Sequence, residues 1–350
     1  MRGHIIRVLV VDDSAFFRRV ITRALTADPM LEVIGEAADG REAVAMAARL
    51  SADVITMDVD MPILDGIAAV RAIMAARPCP VLMISALTRA GAEATLAALD
   101  AGACDFLAKH AEGDSAALAG FTRELVARVK SVARQRPGRR ASAAAARRVA
   151  PALDRAPRTY PGLECVVIGA STGGPPVIGG ILGALPAAFP LPLVVAQHMP
   201  GTFTSCFAER LDQQSAVRVC LAADGAPVVG GTAYICPGGM QTTLARDADG
   251  AARLCVTAGD PAARYRPSID VTFGAAARVF GAHVLGIVLT GMGDDGCAGG
   301  RALKAGGAPV WAQDEASSVV FGMPRAVIEA GLADSVLPSV AIAPRLLEAL

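Results

Sequence analysis

The chain has 350 residues, 53% of them hydrophobic and 19% charged, and its 33 basic and 33 acidic side chains balance to a net charge of +0. That length suits two domains, each with its own core. Neutrality gives no footing for nucleic acid or an anionic membrane surface, and no apolar run approaches the length of a membrane span. From the N-terminus, the short apolar run up to Val11 is ended at once by Asp12-Asp13, so it reads as a first strand and not a signal peptide. Strand-like and helix-like segments then alternate: Arg7–Val11 and Ala15–Leu25, Leu31–Ala37 and Glu42–Leu50, Val54–Met57 and Ile67–Ala75. Val81–Ile84 and Ala92–Ala101 follow, then a short Asp105–Leu107 and Phe121–Val132. Such β/α pairs predict a doubly wound parallel sheet.

Between about Ser131 and Tyr160 the composition turns to Ala, Arg and Pro, as in Arg134-Gln135-Arg136-Pro137. The reading is a domain over residues 5–125, a flexible linker over 126–160 and a second α/β domain over 161–350. In the second domain three apolar runs stand out, Cys165–Ala170, Leu193–Gln197 and Val284–Leu289, with a final unit of Pro309–Ala312 and Met323–Ala330. The eight cysteines are scattered with no C-x-x-C, which points to reduced core thiols and against a zinc site.

The first domain gathers acids at strand ends. Asp12 and Asp13 follow the first strand and Asp58 ends the third, which places them at one carboxyl edge. Three carboxylates in one crevice repel one another and need a cation; Mg2+, bound through oxygens, fits. Ser85 and Lys109 bring a hydroxyl and an ammonium to the same edge, a set suited to moving a phosphoryl group onto a carboxylate.

In the second domain, Gly169-Ala170-Ser171-Thr172-Gly173 fits the G-x-S-x-G elbow, a tight turn that exposes a serine oxygen. His198 lies just past the next strand, and Asp294-Asp295 follow the third. Nucleophile, base and orienting acid at three strand ends make a Ser-His-Asp hydrolase site. The competing reading is a glycine-rich phosphate loop with Ser171 as a helix cap. The order Ser, His, Asp differs from that of α/β-hydrolases.

Together these motifs resemble a known pair of families. Val10-Val11-Asp12-Asp13-Ser14, Met57-Asp58-Val59-Asp60-Met61-Pro62, Ser85-Ala86-Leu87-Thr88 and Asp105-Phe106-Leu107-Ala108-Lys109 look like a response-regulator receiver domain. The elbow, Gln197-His198-Met199-Pro200, Arg266-Pro267-Ser268-Ile269-Asp270, Leu289 to Gly296 and Ala312 to Ser317 resemble the catalytic domain of chemotaxis protein-glutamate methylesterases. The resemblance implies a flavodoxin-like receiver followed by a Rossmann-like α/β catalytic domain. It implies Asp58 as phospho-acceptor, Asp12, Asp13 and Asp58 as Mg2+ ligands, and Ser85, Phe106 and Lys109 as switch residues. His110 stands where receivers usually carry proline.

The same resemblance implies Ser171, His198 and Asp295 as the triad, with the backbone N–H groups of Thr172 and Met292 as oxyanion donors. The implied substrates are glutamate γ-methyl esters, and glutamines, on chemoreceptors; the implied phosphodonor is a chemotaxis-type histidine kinase. The esterase reaction needs no cofactor, the setting is cytoplasmic, and neither nucleic acid nor membrane insertion enters. Receiver and catalytic cleft are expected to oppose each other until Asp58 is phosphorylated. The alternative is a non-catalytic response regulator whose C-terminal domain binds a partner. A dinucleotide-binding oxidoreductase is disfavoured because no G-x-G-x-x-G is present.

Overall fold

The structure is a computed structural model that describes residues 4–109, 115–133 and 159–350. The chain divides into two compact units.

The first unit alternates β1 (Ile6–Val11), α1 (Ala15–Thr26), β2 (Leu31–Ala37), α2 (Gly40–Arg49), β3 (Val54–Asp58), α3 (Gly66–Ala76), β4 (Val81–Ala86), α4 (Arg89–Asp100), β5 (Asp105–Lys109) and α5 (Ser115–Ala133). Its strands are parallel in the order β2-β1-β3-β4-β5. Continuous apolar runs such as Val8–Val11, wholly buried, are what a parallel sheet covered on both faces requires. Side-chain caps start the helices: Asp39 accepts from Glu42 N–H at 2.9 Å and Asp65 from Ala68 N–H at 2.7 Å. At Gly66 the chain folds back so tightly that a Cβ would meet the Asp58 carbonyl at 2.1 Å, which pins the loop after β3 beside Asp58. The last helix runs to Ala133, with Val129 and Val132 in the core. The first unit thus continues past the expected boundary at 125, because those valines keep the helical apolar spacing. His110 and most of the expected linker lie outside the described residues.

The second unit contains β6 (Cys165–Ala170), α6 (Gly174–Gly183), β7 (Leu193–Gln197), α7 (Gly201–Gln214), β8 (Arg218–Leu221), β9 (Thr232–Ile235), β10 (Gln241–Arg246), β11 (Ala252–Thr257), α8 (Ile269–Phe280), β12 (Val284–Val288), α9 (Cys297–Ala305), β13 (Val310–Gln313), α10 (Met323–Glu329), β14 (Ser335–Leu337) and α11 (Ser339–Glu348). Seven parallel strands run β14-β13-β12-β6-β7-β9-β8, and β10 and β11 form an antiparallel pair apart from them. The chain enters at the central β6, builds outward on one side, then crosses by α8 to build the other side from β12. β6 and β12 therefore flank the topological switch point, where open α/β sheets bind ligands. Among the described residues no helix is long and apolar enough to cross a membrane.

Candidate active site

Three loops leave neighbouring strands at this switch point, and backbone bonds continue the ladder past the strand ends. Ser171 N–H donates to Thr290 O at 3.0 Å, and His198 N–H to Ala170 O at 3.0 Å. Buried polar side chains hold the turn carbonyls. Gln197 Nε2 donates to Ser171 O at 2.9 Å and Thr290 Oγ1 to Thr172 O at 2.9 Å. The turn needs small residues. Gly173 sits at φ +77°, and a Cβ on Gly291 would come 2.8 Å from Ser171 Cβ and 2.2 Å from Met323 Sδ.

His198 Nε2 lies 2.8 Å from Asp295 Oδ2. The ring thus presents its Nδ1 edge for any further partner. Among the described residues no hydrogen bond joins Ser171 Oγ to His198; such contacts commonly tighten only when substrate binds. Asp294, in contrast, is exposed.

Asp295 does more than face the histidine. Its Oδ2 also accepts Ile269 N–H at 2.8 Å, and its Oδ1 accepts Asp270 N–H at 2.9 Å and Ser268 Oγ–H at 3.1 Å. It thereby caps the N-terminus of α8. Asp270 returns the arrangement, its Oδ1 accepting the N–H groups of Gly296 (2.8 Å) and Gly299 (2.7 Å) at the start of α9. Burial alone would raise the Asp295 carboxyl, but His198 and the two helix N–H donors outweigh it and hold the group below the usual carboxylate range. Asp270 goes the other way, raised by burial and by the neighbouring Asp295 charge.

Thr172 is buried, and its N–H makes no backbone hydrogen bond among the described residues. Met292 sits half-buried in the loop after β12. A cleft of about 480 Å3 adjoins this site from the α8–α9 side; Tyr265, Asp295, Arg264 and Arg301 line it, while Ser171 and His198 do not. Tyr265 stacks flat on the His198 ring, centroids 4.3 Å apart and planes 8° off parallel. No sequence signal pointed to Tyr265. Ser268, Asp270, Gln197 and Thr290 fell within motifs but carried no expected role.

The first unit has its own cluster. Lys109 Nζ lies 2.7 Å from Asp58 Oδ2 and 2.8 Å from Asp12 Oδ2, the latter an ion contact without hydrogen-bond alignment. Burial, then the Asp12 charge, push the Asp58 carboxyl up to about 6 against the pull of Lys109. Asp12 is raised as well, mainly by burial. Asp12, Asp13 and Asp58 each offer an oxygen, all within 4.8 Å of one another. Excess buried negative charge and an Asp12 oxygen without a hydrogen bond fit a hard divalent cation. The Ser85 hydroxyl, near the end of β4, donates to Gly91 O at 3.0 Å. Phe106 is buried, 4% exposed.

A family model described as CheB methylesterase matches residues 166–346, and one described as response regulator receiver domain matches residues 8–118. A protein-glutamate methylesterase/protein-glutamine glutaminase of Vibrio parahaemolyticus is 47% identical, over 98% of this chain and 98% of that relative.

The chain belongs to the CheB methylesterase family.

A relative of the same description from Pseudoalteromonas atlantica is 45% identical over 94% of this chain and 95% of its own length. The crystal structure of the Thermotoga maritima CheB methylesterase catalytic domain aligns with a TM-score of 0.52 and 41% identity, covering 54% of this chain and 99% of that one. Both the expected family and the expected pair of parallel α/β domains hold.

Proposed function

We propose that this CheB-family chain is a serine hydrolase that cleaves glutamate γ-methyl esters, and deamidates glutamines, on chemoreceptors, under control of phosphorylation at Asp58. The observation that carries the reading is the 2.8 Å His198–Asp295 contact beside the Ser171 turn, at the switch point of a parallel sheet. Ser171 Oγ attacks the side-chain carbonyl while the free edge of His198, Nδ1, takes its proton. Asp295 fixes the tautomer with the proton on Nε2 and stabilises the imidazolium that forms. The developing oxyanion falls to the N–H groups of Thr172 and Met292. His198 then returns the proton to the departing methanol or ammonia. Water attacks the acyl-enzyme by the same base and releases glutamate and free Ser171.

In the receiver, Asp58 is the phospho-acceptor and a chemotaxis-type histidine kinase the donor. Asp12, Asp13 and Asp58 would hold Mg2+, which when bound supplies positive charge to the transferring phosphoryl group. Lys109 contributes a fixed ammonium at the same point. The protein would act in the cytoplasm.

The test is methanol release from methyl-esterified receptor by the purified full chain, with and without a small phosphodonor and Mg2+. Wild type should turn over and be stimulated; Ser171→Ala should be inactive, and Asp58→Asn active but unstimulated. A wild-type protein that neither releases methanol nor reacts at Ser171 with a serine-directed reagent would return the chain to the non-catalytic alternative.

A further inference from the structure

The stretch from Tyr265 to Asp270 contacts two members of the triad at once. Its C-terminal end, Ser268 to Asp270, gives Asp295 three hydrogen bonds. Its N-terminal end lays the Tyr265 ring on His198, 4.3 Å between centroids and 8° from parallel. Buried Gln241 fixes the backbone between: its Nε2 donates to Tyr265 O at 2.7 Å and its Oε1 accepts Ser268 N–H at 2.8 Å. The Arg264 guanidinium carbon lies 5.0 Å from the centroid of the same tyrosine ring, a cation–π distance. At the far end, the Tyr265 hydroxyl approaches the loop after β12 so closely that a Cβ on Gly293 would stand 3.2 Å from it.

A histidine has one acid partner here and must keep its opposite edge aimed at Ser171. A single hydrogen bond to Asp295 leaves the ring free to pivot about that bond. A flat aromatic surface against the imidazole face removes that freedom, because tilting the ring would break the stack. We propose that Tyr265 is a positioning residue for His198, holding the imidazole plane so that Nε2 meets Asp295 while Nδ1 faces the serine. This rests on His198 being the catalytic base. It assigns the role to the ring and not to the hydroxyl.

The experiment uses the full chain and methyl-esterified receptor in membranes. Tyr265→Leu should lower kcat about 10- to 30-fold with KM within about twofold, and Tyr265→Phe should restore kcat to within about threefold of wild type. With four histidines in the chain, the ring nitrogens of 15N-histidine protein can be followed one by one. The His198 signals should show one tautomer in wild type and Tyr265→Phe, and a mixture in Tyr265→Leu. Wild-type kcat in Tyr265→Leu, a loss confined to KM, or equal damage from Phe and Leu would each overturn the proposal. Tyr265→Met replaces the leucine variant if that protein is unstable. His198→Ala separates the two readings: if it still turns over, the base assignment fails. If it is dead while Tyr265→Leu matches wild type, only the positioning role fails.

Discussion

Asp295→Asn is the sharpest test of the site, because the carboxylate carries four hydrogen bonds that an amide cannot reproduce. Its Oδ2 serves His198 and Ile269 N–H, and its Oδ1 serves Ser268 and Asp270 N–H. An asparagine has one accepting oxygen, so in either orientation its NH2 faces one backbone donor of α8. That orphaned N–H costs about 1–3 kcal/mol. Losing a negative charge at a helix N-terminus adds roughly 0.5–1 kcal/mol. A destabilisation of about 2–4 kcal/mol follows. If the NH2 also points at His198, it forces the ring proton onto Nδ1 and removes the base, so kcat should fall on the order of 10^4-fold. Since the fold depresses the Asp295 carboxyl, its contribution is present above the unfolded value of 3.8 and is lost as pH falls through the lower folded value. The gap between wild type and Asp295→Asn should therefore be widest near neutrality and close in acid. Trp311, the chain's single tryptophan, is buried in β13, so its fluorescence in guanidinium reports unfolding of the second unit directly. Exposed Asp294→Asn is the control, expected within about 0.5 kcal/mol of wild type. Equal damage from both substitutions, or an Asp295→Asn protein as stable as wild type near neutrality, would refute the reasoning.

Ser171→Ala should abolish methanol release without lowering the Trp311 transition, and adding His198→Ala should change little further, since triad members act as a unit; additive losses measured on the double variant would break the triad. Gly291→Ala should lower turnover at least tenfold, because the new methyl would meet Ser171 Cβ at 2.8 Å and Met323 Sδ at 2.2 Å; unchanged kcat would show that the turn has room. Asp58→Asn should stabilise the first unit in chelator at neutral pH. Wild type holds the Asp58 proton up to about 6, so its charge destabilises the fold above that, and calorimetry should show the gap closing as pH falls from about 6 towards 4. Mg2+ should narrow the same gap by stabilising wild type, and a gap that widens in acid would reverse the sign of the argument.

Much of this was legible because parallel strands buried on both faces write themselves as unbroken apolar runs. Val8–Val11, Cys165–Ala170 and Val284–Val288 could hardly be anything else; Asp12 and Ser171 stand directly after the first two, and Asp295 in the loop after the third. The β10–β11 pair was harder, since its outward positions are mixed and its partner is local. So was β14, three residues long, and α11 after it, which carries Pro344 within the helix. Side-chain roles that depend on packing were not legible at all. Ser85 bonds Gly91 because the start of α4 falls beside it, and Tyr265 meets His198 from a distant part of the chain. Neither leaves a local pattern, and the same holds for Asp270 and Asp295, each of which stands at the start of one helix and caps the other.

The central position of β6 also sets a clock. Asp295 follows His198 by 97 residues, and β12, the other neighbour of β6, comes just before it. At about 5–20 residues per second, a ribosome delivers the serine and histidine roughly 5–20 s before the acid that completes them. A chain halted within that interval contains Ser171 and His198 but leaves one edge of β6 bare. Later still, Tyr160 N–H donates to Ala349 O at 2.8 Å. Until β12 emerges, the loop that carries Asp295 has no strand to leave from, and His198 is without its carboxylate contact.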